Sequence, residues 1–223
     1  MLRRMGDNEP TTAQLPLVRA RDHCALTPLP GYRGTMVHNR LLKEYRELCD
    51  PTKSDPDIEL ALEDESDVFV WLAQLRGPAD SPYEDGLFKL HIKCPPNYPL
   101  APPKVSFVTP IFHPNVLFKT GEICLDILKP DSWTPAWTLQ SVCRAVTALL
   151  SHPEADSPLN CDCGAPLSRP SSLSRPSPSP GLLPLPASGL CVPAGNLIRN
   201  GDMRGYRSMA RMYTQTLAAR AEQ

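Results

Sequence analysis

The chain has 223 residues, a formal net charge of −1 and a pI of about 6.5, so no global basic field marks it for nucleic acid. No apolar run approaches the roughly 18 to 20 residues that span a bilayer. Met1–Asn8 lacks the apolar centre of a secretory leader, and Ala221-Glu222-Gln223 is not a peroxisomal address, so a soluble cytoplasmic chain is expected.

The length suits one domain of about 150 residues plus extra segments. Residues 1–34 carry little periodicity and are broken by Pro10, Pro16, Pro28 and Pro30, which reads as a disordered extension. The domain begins near Thr35. Val37, Leu41, Leu42, Tyr45, Leu48 and Cys49 recur at helical spacing and predict an amphipathic helix ended by Asp50-Pro51. The period then switches to two. Ile58, Leu60 and Leu62 alternate with Glu59, Ala61 and Glu63, and Phe88, Leu90 and Ile92 alternate with Lys89, His91 and Lys93. Between them Val68–Leu75 is apolar at nearly every position, as in a central strand covered on both faces. Lys104–Phe107 fits a short fourth strand. The linkers are short, so an antiparallel meander is expected rather than parallel pairing. Pro95–Pro103 is too proline-rich for a sheet and reads as a stiff crossing loop.

Thr138 is the predicted N-cap of a second helix that buries Leu139, Val142, Cys143, Val146, Leu149 and Leu150. A last helix follows Asp202, with Tyr206, Ala210, Tyr213 and Leu217 on one stripe. Residues 165–194 contrast with everything around them: eight prolines, seven serines and no acid. Such composition is prone to disorder. The stretch reads as an insertion, from a retained intron or alternative exon, that divides a core of residues 35–164 from its C-terminal helical part, 195–223. A natural long loop is the other reading, although long structureless loops are uncommon inside compact domains.

Eight cysteines, at 24, 49, 94, 124, 143, 161, 163 and 191, show no zinc spacing; Cys161-Asp162-Cys163 is one residue short of the usual knuckle. Cys49 and Cys143 fall on helical faces and read as small core residues. Cys124 is different. It follows His113-Pro114-Asn115 by eight intervening residues, inside the apolar run Ile123-Cys124-Leu125. A thiol so placed can hold an acyl group as a thioester, and a side-chain amide on the preceding loop can donate to an oxyanion when an amine attacks. No strong base stands beside Cys124 in sequence, so there is no clear reason for a strongly lowered thiol pKa, which suits a carrier of an already activated acyl group. A buried, inert thiol is the bland alternative. A Cys/His protease built on His113 does not fit the surrounding strand pattern.

The run His113–Leu128, with Pro95-Pro96-Asn97-Tyr98-Pro99 upstream and Trp133-Thr134-Pro135-Ala136-Trp137 downstream, resembles the core of the ubiquitin-conjugating enzyme family over residues 35–164 and 195–218. That resemblance implies an α/β fold with an N-terminal helix, a four-stranded antiparallel sheet and C-terminal helices. It implies that Cys124 takes ubiquitin from an ATP-dependent activating enzyme and passes it to a substrate held by a RING-type ligase, with no metal or nucleotide of its own. The resemblance gives Asn115 a role in oxyanion stabilisation or in ordering the loop, and makes His113 and Pro114 shapers of that loop. Where many members carry an aspartate before the second proline of Pro153–Pro158, this chain has Ser157, with Asp156 beside it. A hydroxyl orients an amine but is a poor base at neutral pH. The first helix serves the activating enzyme in this family, and the proline loop and the loop before the second helix serve ligases. Arg40, Lys43, Pro99, Leu100 and Pro135 are therefore candidate contacts; Trp133 and Trp137 read as packing residues.

Phe118–Leu128, Trp133–Leu139 and Arg204–Thr214 look most like the branch that serves peroxisomal import, whose members act on the cycling import receptor and are held at the peroxisome by a membrane anchor protein. That places the chain at the cytosolic face of the peroxisomal membrane. Another branch or another ubiquitin-like modifier, and an inactive insertion isoform acting as a binding module, are the alternatives.

Overall fold

The computed structural model describes residues 36–53, 55–64, 66–154 and 194–218. The extension 1–34, and within 155–193 Ser157, Asp156 and nearly all of the proposed insertion, lie outside the described residues. Helix α1 spans Met36–Cys49, followed by strands β1 Ile58–Asp64, β2 Asp67–Arg76, β3 Leu87–Lys93 and β4 Lys104–Phe107. Helices α2 Leu139–Ser151, α3 Ala194–Arg199 and α4 Met203–Leu217 complete it.

The sheet is the expected antiparallel meander in the order β1-β2-β3-β4. Register places Leu60 beside Ala73, Ala73 beside Leu90, and Leu90 beside Phe107, so one face is continuous and apolar. Trp71, Ala73, Leu75, Phe88, Leu90 and Ile92 on that face are fully buried. Strand β2 corrects one expectation. Among the described residues its other face is only partly covered: Val70, Leu72 and Gln74 are half-buried, with Leu72 flanked by Ala61 and His91 of the same sheet. An apolar run can signal lateral shielding rather than a second layer.

Helix α2 starts as the sequence predicts. The Thr138 side chain accepts from Ser141 N and the Ser141 side chain accepts from Thr138 N, a reciprocal cap. Its predicted apolar stripe is buried to the last residue. In α1, Leu42 is only half-buried while the charged Glu44 is 4 % exposed. Positions 37, 41, 44, 45 and 48 form one helical face, so the geometry that buries Leu41 also buries Glu44.

Candidate active site

The site is built on the return of the chain after β4. Phe107 N donates to Gly121 O at 2.8 Å, which draws a hairpin against the strand end. Within it Val116 bridges Ile123, Leu117 N donates to Glu122 O at 2.9 Å and Gly121 N donates to Leu117 O at 2.8 Å. Gly121 has φ +70°, and a Cβ there would lie 2.0 Å from Phe107 O, so only glycine closes this turn. Cys124 N donates to Asn115 O at 2.8 Å, joining the two ends of the motif through the backbone. Ile123 and Leu125 are buried on either side. The alternation of an extended segment therefore turns Cys124 outward, and the residue is half-buried rather than sealed in.

The histidine is locked in one role. His113 is fully buried; its Nε2 lies 3.1 Å from Leu149 O and its Nδ1 accepts from Asn115 N at 3.1 Å. A carbonyl can only accept and an amide can only donate, so the proton sits on Nε2. Burial pushes the imidazole pKa down to about 4, against which the Leu149 carbonyl is a smaller, opposing influence. The ring is neutral at pH 7 and both nitrogens are occupied. It ties the loop to the last turn of α2.

Asn115 is equally committed. Its Nδ2 donates to Glu154 O at 2.8 Å and its Oδ1 accepts from Glu154 N at 2.9 Å. This two-point pairing fixes the amide orientation and clamps the chain after α2 beside the cysteine loop. Pro114 is buried between them.

After Cys124 the chain makes a 3-10 turn, Asp126–Leu128. Lys129 Nζ donates to Asp126 Oδ1 at 2.6 Å. That hydrogen bond, and then the carboxylate's field, raise the lysine pKa, with smaller contributions from Cys124 and Glu154. Asp126, Lys129 and Glu154 are thus charged groups near the thiol that sequence reasoning did not single out. The signal available for Asp126 and Lys129 was their position two and five residues past the cysteine, at a short turn; Glu154 carried none.

A second layer comes from α4. Tyr83 Oη donates to Phe112 O at 2.8 Å and meets Tyr206 Oη at 2.7 Å. Tyr83 has one hydrogen and spends it on the carbonyl, so Tyr206 is the donor to Tyr83. Tyr213 stacks on Phe112, with centroids 5.4 Å apart, and meets Phe118 edge-on at 5.5 Å. The C-terminal helix therefore grips the loop on both sides of His113-Pro114-Asn115.

The partner-contact candidates separate into two kinds. Lys43 is 71 % exposed, Leu100 is 77 % exposed and Pro135 is exposed, whereas Pro99 is half-buried. Arg40 turns inward: Nε donates to Glu44 Oε1 at 2.6 Å and Nη2 to Trp137 O at 3.0 Å. Trp133 is buried as expected and its indole donates to Pro99 O at 2.7 Å; Trp137 is half-buried. Among the cysteines, Cys143 is fully buried, with burial pushing its pKa up to about 12, while Cys49 is only half-buried.

The model of the family described as ubiquitin-conjugating enzyme matches residues 40–173, which hold Cys124 and the His113-Pro114-Asn115 loop. The chain belongs to the ubiquitin-conjugating enzyme family. It is 50 % identical over 179 residues to Protein PEROXIN-4 of Arabidopsis thaliana, covering 80 % of this chain and 93 % of that one. It is 51 % identical over 176 residues to ubiquitin-conjugating enzyme E2 pex4 of Dictyostelium discoideum, covering 79 % and 95 %. Among solved structures, the E2 domain of a Toxoplasma gondii ubiquitin conjugating enzyme superposes with a TM-score of 0.59 at 29 % identity, covering 81 % of this chain and 98 % of that one. The enzyme is thus a transferase of the ubiquitin pathway, and ubiquitin, an activating enzyme and ligases are the partners its family implies. No helix among the described residues is long and apolar enough to cross a membrane.

Proposed function

We propose that Cys124 carries the C-terminal carboxyl of ubiquitin as a thioester. The observation that carries this is the half-buried, outward-turned Cys124 held beside the clamped His113-Pro114-Asn115 loop. In loading, the Cys124 sulfur attacks the activating enzyme's thioester; a new carbon–sulfur bond forms, the old one breaks, and the proton passes to the departing thiol. In discharge, a substrate amine attacks, a carbon–nitrogen bond replaces the carbon–sulfur bond, and the amine's surplus proton leaves to solvent or to the released thiolate. His113, neutral and doubly bonded, orders the loop and moves no proton. Asn115 pairs its amide with Glu154 at two points, which supports the ordering role.

The relatives named for peroxin-4, matched over more than nine-tenths of their length, support placement in the peroxisomal import branch. The substrate is then the cycling import receptor, and a membrane anchor protein holds the enzyme at the cytosolic face of the peroxisome. Lys43, Leu100 and Pro135 are the outward groups offered to the activating enzyme and to a RING-type ligase. Residues 165–194 are an insertion into this enzyme.

Incubation with activating enzyme, ATP and ubiquitin tests the reading. A thiol-sensitive adduct is expected on the full chain and on a variant lacking 165–194, and none on Cys124→Ala. An adduct surviving Cys124→Ala refutes the assignment. In cells without their own peroxin-4, the full chain is expected to restore matrix-protein import and Cys124→Ala to fail; failure of both overturns the branch placement.

A further inference from the structure

The buried carboxylate of Glu44 has no part in the chemistry at Cys124, yet three segments of the chain converge on it. Its Oε1 accepts from Arg40 Nε at 2.6 Å and from Tyr98 Oη at 2.7 Å, and its Oε2 accepts from Leu139 N at 2.8 Å. Arg40 lies on α1 itself, Tyr98 on the proline crossing loop, and Leu139 N is the first amide of α2, where the helix dipole favours a negative charge. The circle closes on the far side. Arg40 Nη2 donates to Trp137 O, Trp133 Nε1 donates to Pro99 O, and the Tyr98 and Trp133 rings lie 6.2 Å apart. Burial first, and then the neighbouring carboxylate, raise the Tyr98 phenol pKa, so it stays a donor.

An ionic group at this depth is a weak choice for stability alone. Desolvating a carboxylate is expensive, and an apolar side chain of the same size would pack without that cost. What an apolar side chain cannot do is tie three separate backbones at fixed hydrogen-bond distances. Setting registry is the best-attested use of such buried polar groups. The outer surfaces of the tied segments are the ones left open: Lys43 on α1, Leu100 just past Tyr98-Pro99, and Pro135 between Trp133 and Trp137.

We infer that Glu44 is a positioning residue for the docking face, setting α1, the 97–100 turn and the 133–137 loop at the mutual spacing a partner meets. Arg40 and Tyr98 act with it, and Arg40 contributes to docking through Glu44 rather than by direct contact. This rests on the reading of Cys124 as the ubiquitin carrier, because the partner measured is the activating enzyme.

The experiment is a split of KM from kcat. Glu44→Gln keeps the shape and one accepting oxygen but replaces the other with an amide that cannot accept, so at least one of the three donors loses its partner. The expected result is a rise in KM for the activating enzyme of roughly tenfold, the factor that about 1.4 kcal/mol of lost hydrogen bonding would give. The kcat of loading, and the discharge of preformed thioester to free lysine, are expected to stay within about twofold, because neither step touches this face. Tyr98→Phe removes a single donor and serves if Glu44→Gln folds poorly; the same split, at about threefold, is expected. An unchanged KM overturns the inference. So does a KM that rises only in step with slowed discharge and a lowered Tm, which is what general loosening would produce. If the unsubstituted chain forms no adduct, the carrier reading falls and takes the inference with it; if it loads normally and the variants show no split, only the inference falls.

Discussion

Acid should loosen this enzyme through one histidine. His113 is fully buried and neutral, with a folded pKa of about 4 against an ordinary 6.5. Between those values the unfolded chain binds a proton that the folded chain refuses, so stability rises with pH across that window. The contribution is fully present above about pH 6.5 and is lost as pH falls towards 4, where the folded protein is also protonated. The gap between 6.5 and about 4 corresponds to about 3 kcal/mol in all, and between pH 7 and pH 4.5 to about 2 kcal/mol. With a urea m-value of about 2 kcal/mol/M, the midpoint should fall by about 1 M over that interval. Carboxylates also titrate in the lower part of the range, so the informative quantity is a difference. His113→Gln keeps a donor for Leu149 O and removes the titration. It should be less stable than the unsubstituted chain at pH 7 and should show a pH dependence flatter by about 2 kcal/mol. Parallel pH profiles for the two proteins would refute the argument, because the acid sensitivity would then come from elsewhere.

Other substitutions test the remaining joints of the site. Asn115→Ala removes both bonds to Glu154 and should cost about 2 kcal/mol by urea denaturation, with slower loading and slower discharge together; slower discharge at unchanged stability would instead place the amide on the oxyanion. Gly121→Ala forces a Cβ against Phe107 O at positive φ and should cost at least roughly 2 kcal/mol, with a fall in adduct yield at 37 °C; an unaltered melting curve would show that the turn relaxes freely. Tyr213→Ala strips the ring from both Phe112 and Phe118 and should cost about 3 kcal/mol in thermal unfolding and slow thioester formation; loss of stability without loss of loading rate would show that α4 supports the fold and not the loop.

The strand meander and the first and second helices were legible in the sequence because their burial is one-sided and periodic. Leu60 and Leu90, or Val142 and Val146, declare their face by spacing alone. Thr138 could be read as a cap because a local side-chain bond needs only neighbours in sequence. Long-range polar pairings carry no such period. Nothing in the sequence of α1 indicates that Tyr98 and Leu139 N, 54 and 95 residues away, supply the hydrogen bonds of Glu44. The same holds for Asn115 and Glu154, 39 residues apart, and for Tyr83 and Tyr206, 123 apart. The motif around Cys124 located the chemistry, but the clamps that hold it are contacts between distant segments, and those follow only from the fold.

The position of α4 bears on what residues 155–193 can be allowed to do. The contacts that seat α4 come after that stretch, among them Tyr206 to Tyr83 and Phe112, Tyr213 to Phe112 and Phe118, and, just past the helix, Ala218 O to Leu87 N at 2.8 Å. Lengthening a connection roughly fourfold, as residues 165–194 would do to a shorter parent, adds only about 1 kcal/mol of closure entropy even for a freely jointed chain. Burial of Tyr206 alone offsets about 2 kcal/mol, and Ala210, Thr214 and Ala218 are buried with it. Added length by itself therefore does not unseat the helix. If the full chain fails to load while the variant lacking 165–194 succeeds, the edge where Glu154 meets Asn115 is the first joint to test. That pairing is the last described contact before the stretch begins, and one of those that order the cysteine loop.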